Sequence, residues 1–199
     1  MANTDAAFGL RPVQHLDGSP WNGKVNMYLV PAANGDTMFL GDPVISGGDA
    51  GGAGLVVNGL DMEGVPTIVR PVAGSTLLGV IVGFLPNQDN LMQTHRAASQ
   101  ARVALVCDSP DVIYEVQEDS DAGAIAATSV NFNADMITYA AGSTTTGRSI
   151  VEIDSSTADS TTAQFRLLGL AKQPGNILGS FAKWLVVINE HERKTLGGS

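Results

Sequence analysis

The chain has 199 residues and a formal net charge of −9, with 44% hydrophobic and only 16% charged residues. That length buries about 70% of the unfolded surface without disulfide or metal support, and that composition excludes a disordered polymer. Lys and Arg are scattered, Arg193-Lys194 being the only adjacent pair, so direct binding to nucleic acid or an anionic membrane is not expected.

Residues 1–23 show neither strand nor helix periodicity and are punctuated by Gly9, Pro12, Gly18, Pro20 and Gly23. Proline and the residue before it favour extended backbone, so this stretch reads as an extended N-terminal arm. It carries Phe8, Leu10 and Trp21, which are costly in water unless a surface accepts them. Either the arm folds back on its own domain or it lies across a neighbouring subunit, and the residue pattern leaves both open. The stretch has no cationic segment followed by an apolar core, so it is not read as a secretory signal.

Residues 24–199 read as one β-rich barrel or sandwich domain. KVNMYLV sets Val25, Met27 and Leu29 against Asn26, Tyr28 and Val30. TMFLGDPVI bends at Gly41-Asp42-Pro43. SGGDAGGAG, residues 46–54, reads as a flexible loop, without the glycine spacing of a phosphate cradle. VPTIVRPV and LLGVIVGF are strands, and the second is about half the length that crosses a bilayer. The chain therefore reads as soluble. NQDNLMQTHRAASQ, residues 87–100, is a polar surface excursion or a short helix.

RVALVCD and DVIYEVQED follow as strands, the second with Val112, Tyr114 and Val116 opposing Ile113, Glu115 and Gln117. The single cysteine, Cys107, reads as a small buried hydrophobe, in keeping with a reducing cytoplasm. SDAGAIAATSV is the one helix candidate, with Asp121 as its cap. NADMITYAAG and RSIVEID read as strands around STTTG, and DSSTADSTT, residues 154–162, as a loop. AQFRLLGLAK is a strand, Pro174-Gly175-Asn176 a turn, and FAKWLVVINEHE closes the fold. The expected architecture is mainly β: about ten strands in a single antiparallel barrel or sandwich, with at most one short helix.

The motifs for chemistry fail in turn. EVQEDSD, with Glu115, Glu118, Asp119 and Asp121, lacks the spacing of an EF-hand loop and reads as a solvated turn, with a weak divalent site as the alternative. NEHE contains one histidine, His191, where a zinc protease needs two on one helical face; the others, His15 and His95, are isolated. On a strand, Glu190 and His191 point to opposite faces, so NEHE reads as the polar tail of a closing strand. There is no Gly-x-Ser-x-Gly elbow and no cysteine–histidine pair. Nothing nominates a carboxylate pair for glycoside hydrolysis. The sequence therefore predicts no catalytic residue, no metal and no cofactor.

FGLRPV at 8–13, GSPWNGKVNMY, GDPV at 41–44, LLGVIVGF, DSPDVIYEVQEDSD at 108–121 and AKWLVVINEH share an order and spacing. Across nearly the whole chain they resemble the capsid cement, or head decoration, proteins of tailed bacteriophages. The resemblance implies a non-enzymatic virion protein, assembled in the host cytoplasm and bound to the outer surface of the icosahedral head. There it would reinforce contacts between capsomers of the major capsid protein, as a homotrimer or a dimer. On that expectation Phe8, Leu10, Pro12 and Trp21 bury against the capsid protein or a neighbouring subunit, and Arg11 pairs with a carboxylate or carbonyl. The alternative is a head-fibre or host-surface glycan-binding module using loops 87–100 and 154–162. The major shell protein itself is disfavoured by the short chain and the lack of a long helix.

Overall fold

The computed structural model of the chain describes residues 3–72, 74–137 and 142–194. Strands are numbered in chain order. β2 (Asn26–Val30), β3 (Pro43–Ala50), β6 (Pro66–Val69), β7 (Gly79–Phe84) and β8 (Arg102–Cys107) close into a barrel in the order β2-β6-β3-β7-β8. β1 (Arg11–His15), β9 (Val112–Gln117), β10 (Asn133–Ala134), β11 (Phe165–Leu170) and β12 (Lys183–Ile188) form a sheet in the order β1-β9-β12-β11-β10. β4 (Val56–Val57) and β5 (Leu60–Asp61) make a small hairpin. The chain is mainly β, as its strand patterns predict. The ladders are antiparallel except for β2 with β6, which meet in parallel at Leu29 and Thr67.

Two of the three buried clusters explain the two layers. Tyr28, Val30, Val44, Ile68, Ile81, Ala104 and Val106 point together from the barrel strands and are buried as one cluster. Val112, Tyr114 and Val116 of β9 join Phe165 and Leu167 of β11 and Trp184, Val186 and Ile188 of β12 in a second, larger cluster. Val80 of β7 and Cys107 of β8 belong to that second cluster, so the barrel wall is also the floor of the sheet's core. Each such side chain contributes about 1.5–3 kcal/mol by leaving water. The Tyr114 hydroxyl seals the seam by donating to the Cys107 carbonyl at 3.0 Å.

β9 shows how the arm is used. Its predicted apolar face lies in the core, but the opposite face is covered too, because the N-terminal residues fold back over it. Gln117 Nε2 donates to the carbonyls of Thr4 and Phe181, each at 2.8 Å, and its Oε1 accepts from the Ala6 N–H at 2.9 Å. β1 pairs with β9 along Arg11–Glu115 and His15–Val112. Leu10 is 2% exposed and sits in the core of its own chain.

Several local expectations are corrected. The glycine-rich stretch after Ser46 is not all loop: β3 continues to Ala50 and pairs with β6 across a bulge, where glycines allow close approach. The Ala-rich segment forms only a 3-10 turn at Ala127–Ser129, with Ala126 rather than Asp121 at its start. The reason is tertiary: Ile125 is drawn into the core and its N–H donates to Glu118 Oε2 at 2.8 Å. RSIVEID runs through isolated bridges instead of a ladder, Arg148 meeting Leu40 and Ser143 while Ile153 meets Glu118 and Met136. Of NADMITYAAG only Asn133–Ala134 is strand, and residues 138–141 lie outside the described residues. Residues 87–100 form turns, not a helix, around a buried Arg96 that donates to the carbonyls of Pro31, Asn34, Asp36 and Gln100.

NEHE is not a polar tail. β12 stops at Ile188, and the next residues clasp the barrel. The Leu77 N–H donates to the Glu190 carbonyl at 2.8 Å, and the Glu192 N–H returns to the Leu77 carbonyl at 2.9 Å. Glu192 Oε1 accepts from the Ser46 N–H at 2.9 Å. Arg193 reaches Asp108 at 2.7 Å and the Tyr28 hydroxyl at 2.7 Å. His191, inside this clasp, is 1% exposed, and its Nδ1 accepts from the Arg193 N–H at 3.0 Å.

A candidate docking groove beside the N-terminal segment

The segment crosses the barrel where Gly9 lies against Gly41. Both have positive φ, +74° and +92°, and the Leu10 N–H donates to the Gly41 carbonyl at 2.9 Å. A Cβ on Gly9 would sit 2.6 Å from Ser149 Cβ and 2.7 Å from the Gly41 oxygen. Gly9→Ala should therefore cost about 2 kcal/mol or more, strain and overlap acting together, read as a lower urea midpoint with unchanged slope. An unchanged midpoint would show that the crossing is not tight.

This crossing leaves a groove. Phe8, Leu10, Arg11, Pro12 and Trp21, the five residues singled out in the sequence, all line a cavity of about 380 Å³ with Leu40, Ile81, Val82 and Arg148. A second cavity of about 460 Å³ adjoins it through the shared residues Phe8, Arg11 and Arg148, and adds Lys183. Two cations lie over the Phe8 ring, the Arg11 guanidinium carbon 5.3 Å and Lys183 Nζ 5.8 Å from its centroid. Cations over an aromatic face are held by its quadrupole.

The five do not play one role. Leu10 is core, 2% exposed, and meets the cavity only as part of its floor. The carboxylate that Arg11 pairs with is Glu115 of its own chain, its guanidinium lying 2.5 Å from Glu115 Oε2. Glu115 Oε1 also accepts from Gln173 Nε2 at 2.8 Å. Phe8, Pro12 and Trp21 are half-buried and form the apolar wall. Arg148 and Lys183 were not singled out in the sequence. Each comes from a segment distant in sequence from the arm, and only tertiary folding brings them beside Phe8.

The electrostatics are one-sided. The chain carries 20 Asp and Glu against 11 Lys and Arg, yet neither cavity wall includes a carboxylate and together they hold three cations. Among the described residues, the Arg148 guanidinium has no hydrogen bond or ion pair, and the residue is exposed. Arg11 is neutralised by Glu115, which leaves Arg148 and Lys183 as the cations that meet an apolar floor. That arrangement suits a partner surface bringing apolar and acidic groups together. No family model, characterised protein or solved structure matches this chain. The groove itself therefore carries the functional reading.

Other titratable groups lie elsewhere. Asp119 and Asp121 are joined by Asp154, their carboxylate oxygens all within 4.8 Å of one another, the only such group of potential metal ligands among the described residues. Asp154 comes from the Ser/Thr-rich loop, a partner no local spacing could reveal. Backbone N–H groups already occupy one oxygen each of Asp119 and Asp154, donated by Ser155 and Ser156. Within the same acidic stretch, Glu115 and Glu118 are buried, which corrects the expectation of a solvated turn. Burial raises the Glu118 carboxyl, against hydrogen bonds from Ile125, Trp184 and Ala182. Cys107 is a free, buried thiol pushed up by desolvation. No helix of the described residues is long and apolar enough to cross a membrane.

Proposed function

We propose that this chain is a non-enzymatic docking protein, a phage capsid cement or decoration protein that binds the outer surface of the icosahedral head. It stabilises contacts between capsomers of the major capsid protein, as a homotrimer or a dimer, and needs no cofactor, nucleic acid or membrane. The observation that carries the reading is the groove: Phe8, Arg11, Pro12 and Trp21 share one carboxylate-free wall on a rigid β scaffold. Binding only the assembled lattice stabilises that lattice by linkage, and symmetry multiplies modest single contacts.

Occupancy on purified heads tests this. Phe8→Ala and Arg148→Glu each keep the core intact and should lower occupancy about tenfold or more, the scale of losing one anchor. Undiminished occupancy in both variants would refute the groove's role. The glycan-binding alternative predicts the opposite pattern: host adsorption falls without the protein, while heads keep their resistance to heat and osmotic shock.

A further inference from the structure

We propose that the groove is filled by a second copy of this chain, which inserts the loop at residues 86–93. This rests on the docking reading above and names the partner of the same site. Leu91 and Met92 carry the argument first. At 77% and 87% exposure they are the two most exposed large hydrophobic side chains among the described residues. They stand side by side at the tip of one loop, and water is an unfavourable place for both.

The loop holds its shape. Asn87 Nδ2 donates to Gln93 Oε1 at 2.7 Å, and the Met92 N–H donates to Asn90 Oδ1 at 3.1 Å. The buried Arg102 fastens its far end, donating to the Gln93 carbonyl at 3.2 Å. The β4–β5 hairpin braces its near end: Asn58 Nδ2 donates to the Pro86 carbonyl and Gln88 Nε2 to the Asn58 carbonyl, each at 3.0 Å. A surface held in one conformation before binding loses little entropy on docking.

Its charge matches the groove. No Lys or Arg occurs between residues 71 and 95, and Asp89 lies in the loop while Asp61 and Glu63 lie on or beside the bracing hairpin. Apolar side chains beside unopposed acids face a cavity with an apolar floor and the unpaired Arg148 at its rim. β7 joins the two surfaces, with Val82 in the groove and Pro86 just beyond its end, where the hairpin holds the loop. Passed head-to-tail, such a contact closes into a ring or propagates as a chain; exchanged reciprocally, it makes a two-fold dimer.

Sedimentation velocity and native mass spectrometry on the full chain test this. The wild type should associate with rising concentration, and less as salt rises. Asp89→Lys spoils the loop and Arg148→Glu spoils the groove, both at exposed positions, and each should weaken self-association about tenfold or more. Mixed one to one, Arg148→Glu and the double loop variant Leu91→Ser with Met92→Ser should form a heterodimer and nothing larger, because one intact loop meets one intact groove. Asp89→Lys would instead bring a cation to the new anion of Arg148→Glu and restore the second contact. Leu91→Ser with Met92→Ser provides an independent loop variant if Asp89→Lys does not fold. A monomeric wild type, association indifferent to these variants, or no recovery on mixing overturns the inference. Head occupancy is read separately, so a monomer that still decorates heads sinks the self-contact alone, and an oligomer that leaves them bare sinks the docking reading.

Discussion

Deleting residues 2–21 should unfold the protein instead of trimming an appendage. The deletion removes β1 and its ladder with β9, the buried Leu10, and the Thr4 and Ala6 backbone groups that satisfy the side chain of Gln117. Losing a buried leucine alone costs about 2–5 kcal/mol. Leaving the Gln117 amide short of partners costs about 1–3 kcal/mol more. The sum reaches the lower end of the stability of ordinary domains, about 5–15 kcal/mol. Thermal melts would decide it: a truncated chain that unfolds cooperatively within a few degrees of the full one contradicts this account. Head binding must therefore be probed with point substitutions, because the truncation removes fold and groove together.

The second large effect is in the pH dependence of stability. Burial, with Lys194 and Arg193 close by, lowers the His191 pKa from 6.5 to about 4. The unfolded chain then binds a proton that the folded chain refuses, so stability is full above pH 6.5 and lost as pH falls towards 4. The loss amounts to about 3 kcal/mol at 1.36 kcal/mol per unit, set by the shift from 6.5 to about 4. Glu152 acts in the opposite sense. Burial, then the charges of Asp5 and Asp119, raise its carboxyl from 4.5 to about 7. Its charged form is disfavoured in the fold, so its contribution is lost as pH rises from 4.5 to 7. Partial exposure reduces that contribution to about 2 kcal/mol. The two windows overlap and the wild-type profile should be shallow between them. Glu152→Gln should expose the acid loss due to His191, and His191→Asn should reverse the slope so that mild acid stabilises. Parallel urea-midpoint profiles for the three proteins between pH 4.5 and 7 would show that neither group titrates as argued.

The elements legible in the sequence are those whose burial is decided locally. RVALVC and KWLVVI are apolar enough to be strands in any context, and the alternation of β9 correctly assigns Val112, Tyr114 and Val116 to the core. What escapes is decided by distant partners. Glycines after Ser46 read as loop by composition, yet β6 recruits them into β3. An Ala-rich run reads as helix, yet Glu118 and the core hold Ile125 in another conformation. Around the groove, Phe8, Pro12 and Trp21 were visible because large apolar groups in a proline-broken arm need a surface. Arg148 and Lys183 were not, since an isolated cation carries no local sign of the distant groove it will line.

Among the described residues β12 is the last strand to be made, and it is also the middle strand of its sheet, flanked by β9 and β11. While the ribosome is still making it, β9 and β11 are complete but lack the neighbour that both require. Every nascent chain thus passes through a stage with two unpaired, apolar strand edges, a state prone to sticking to its own kind. High yields of native protein should favour slow translation and cool growth, conditions that keep few unfinished chains in reach of one another.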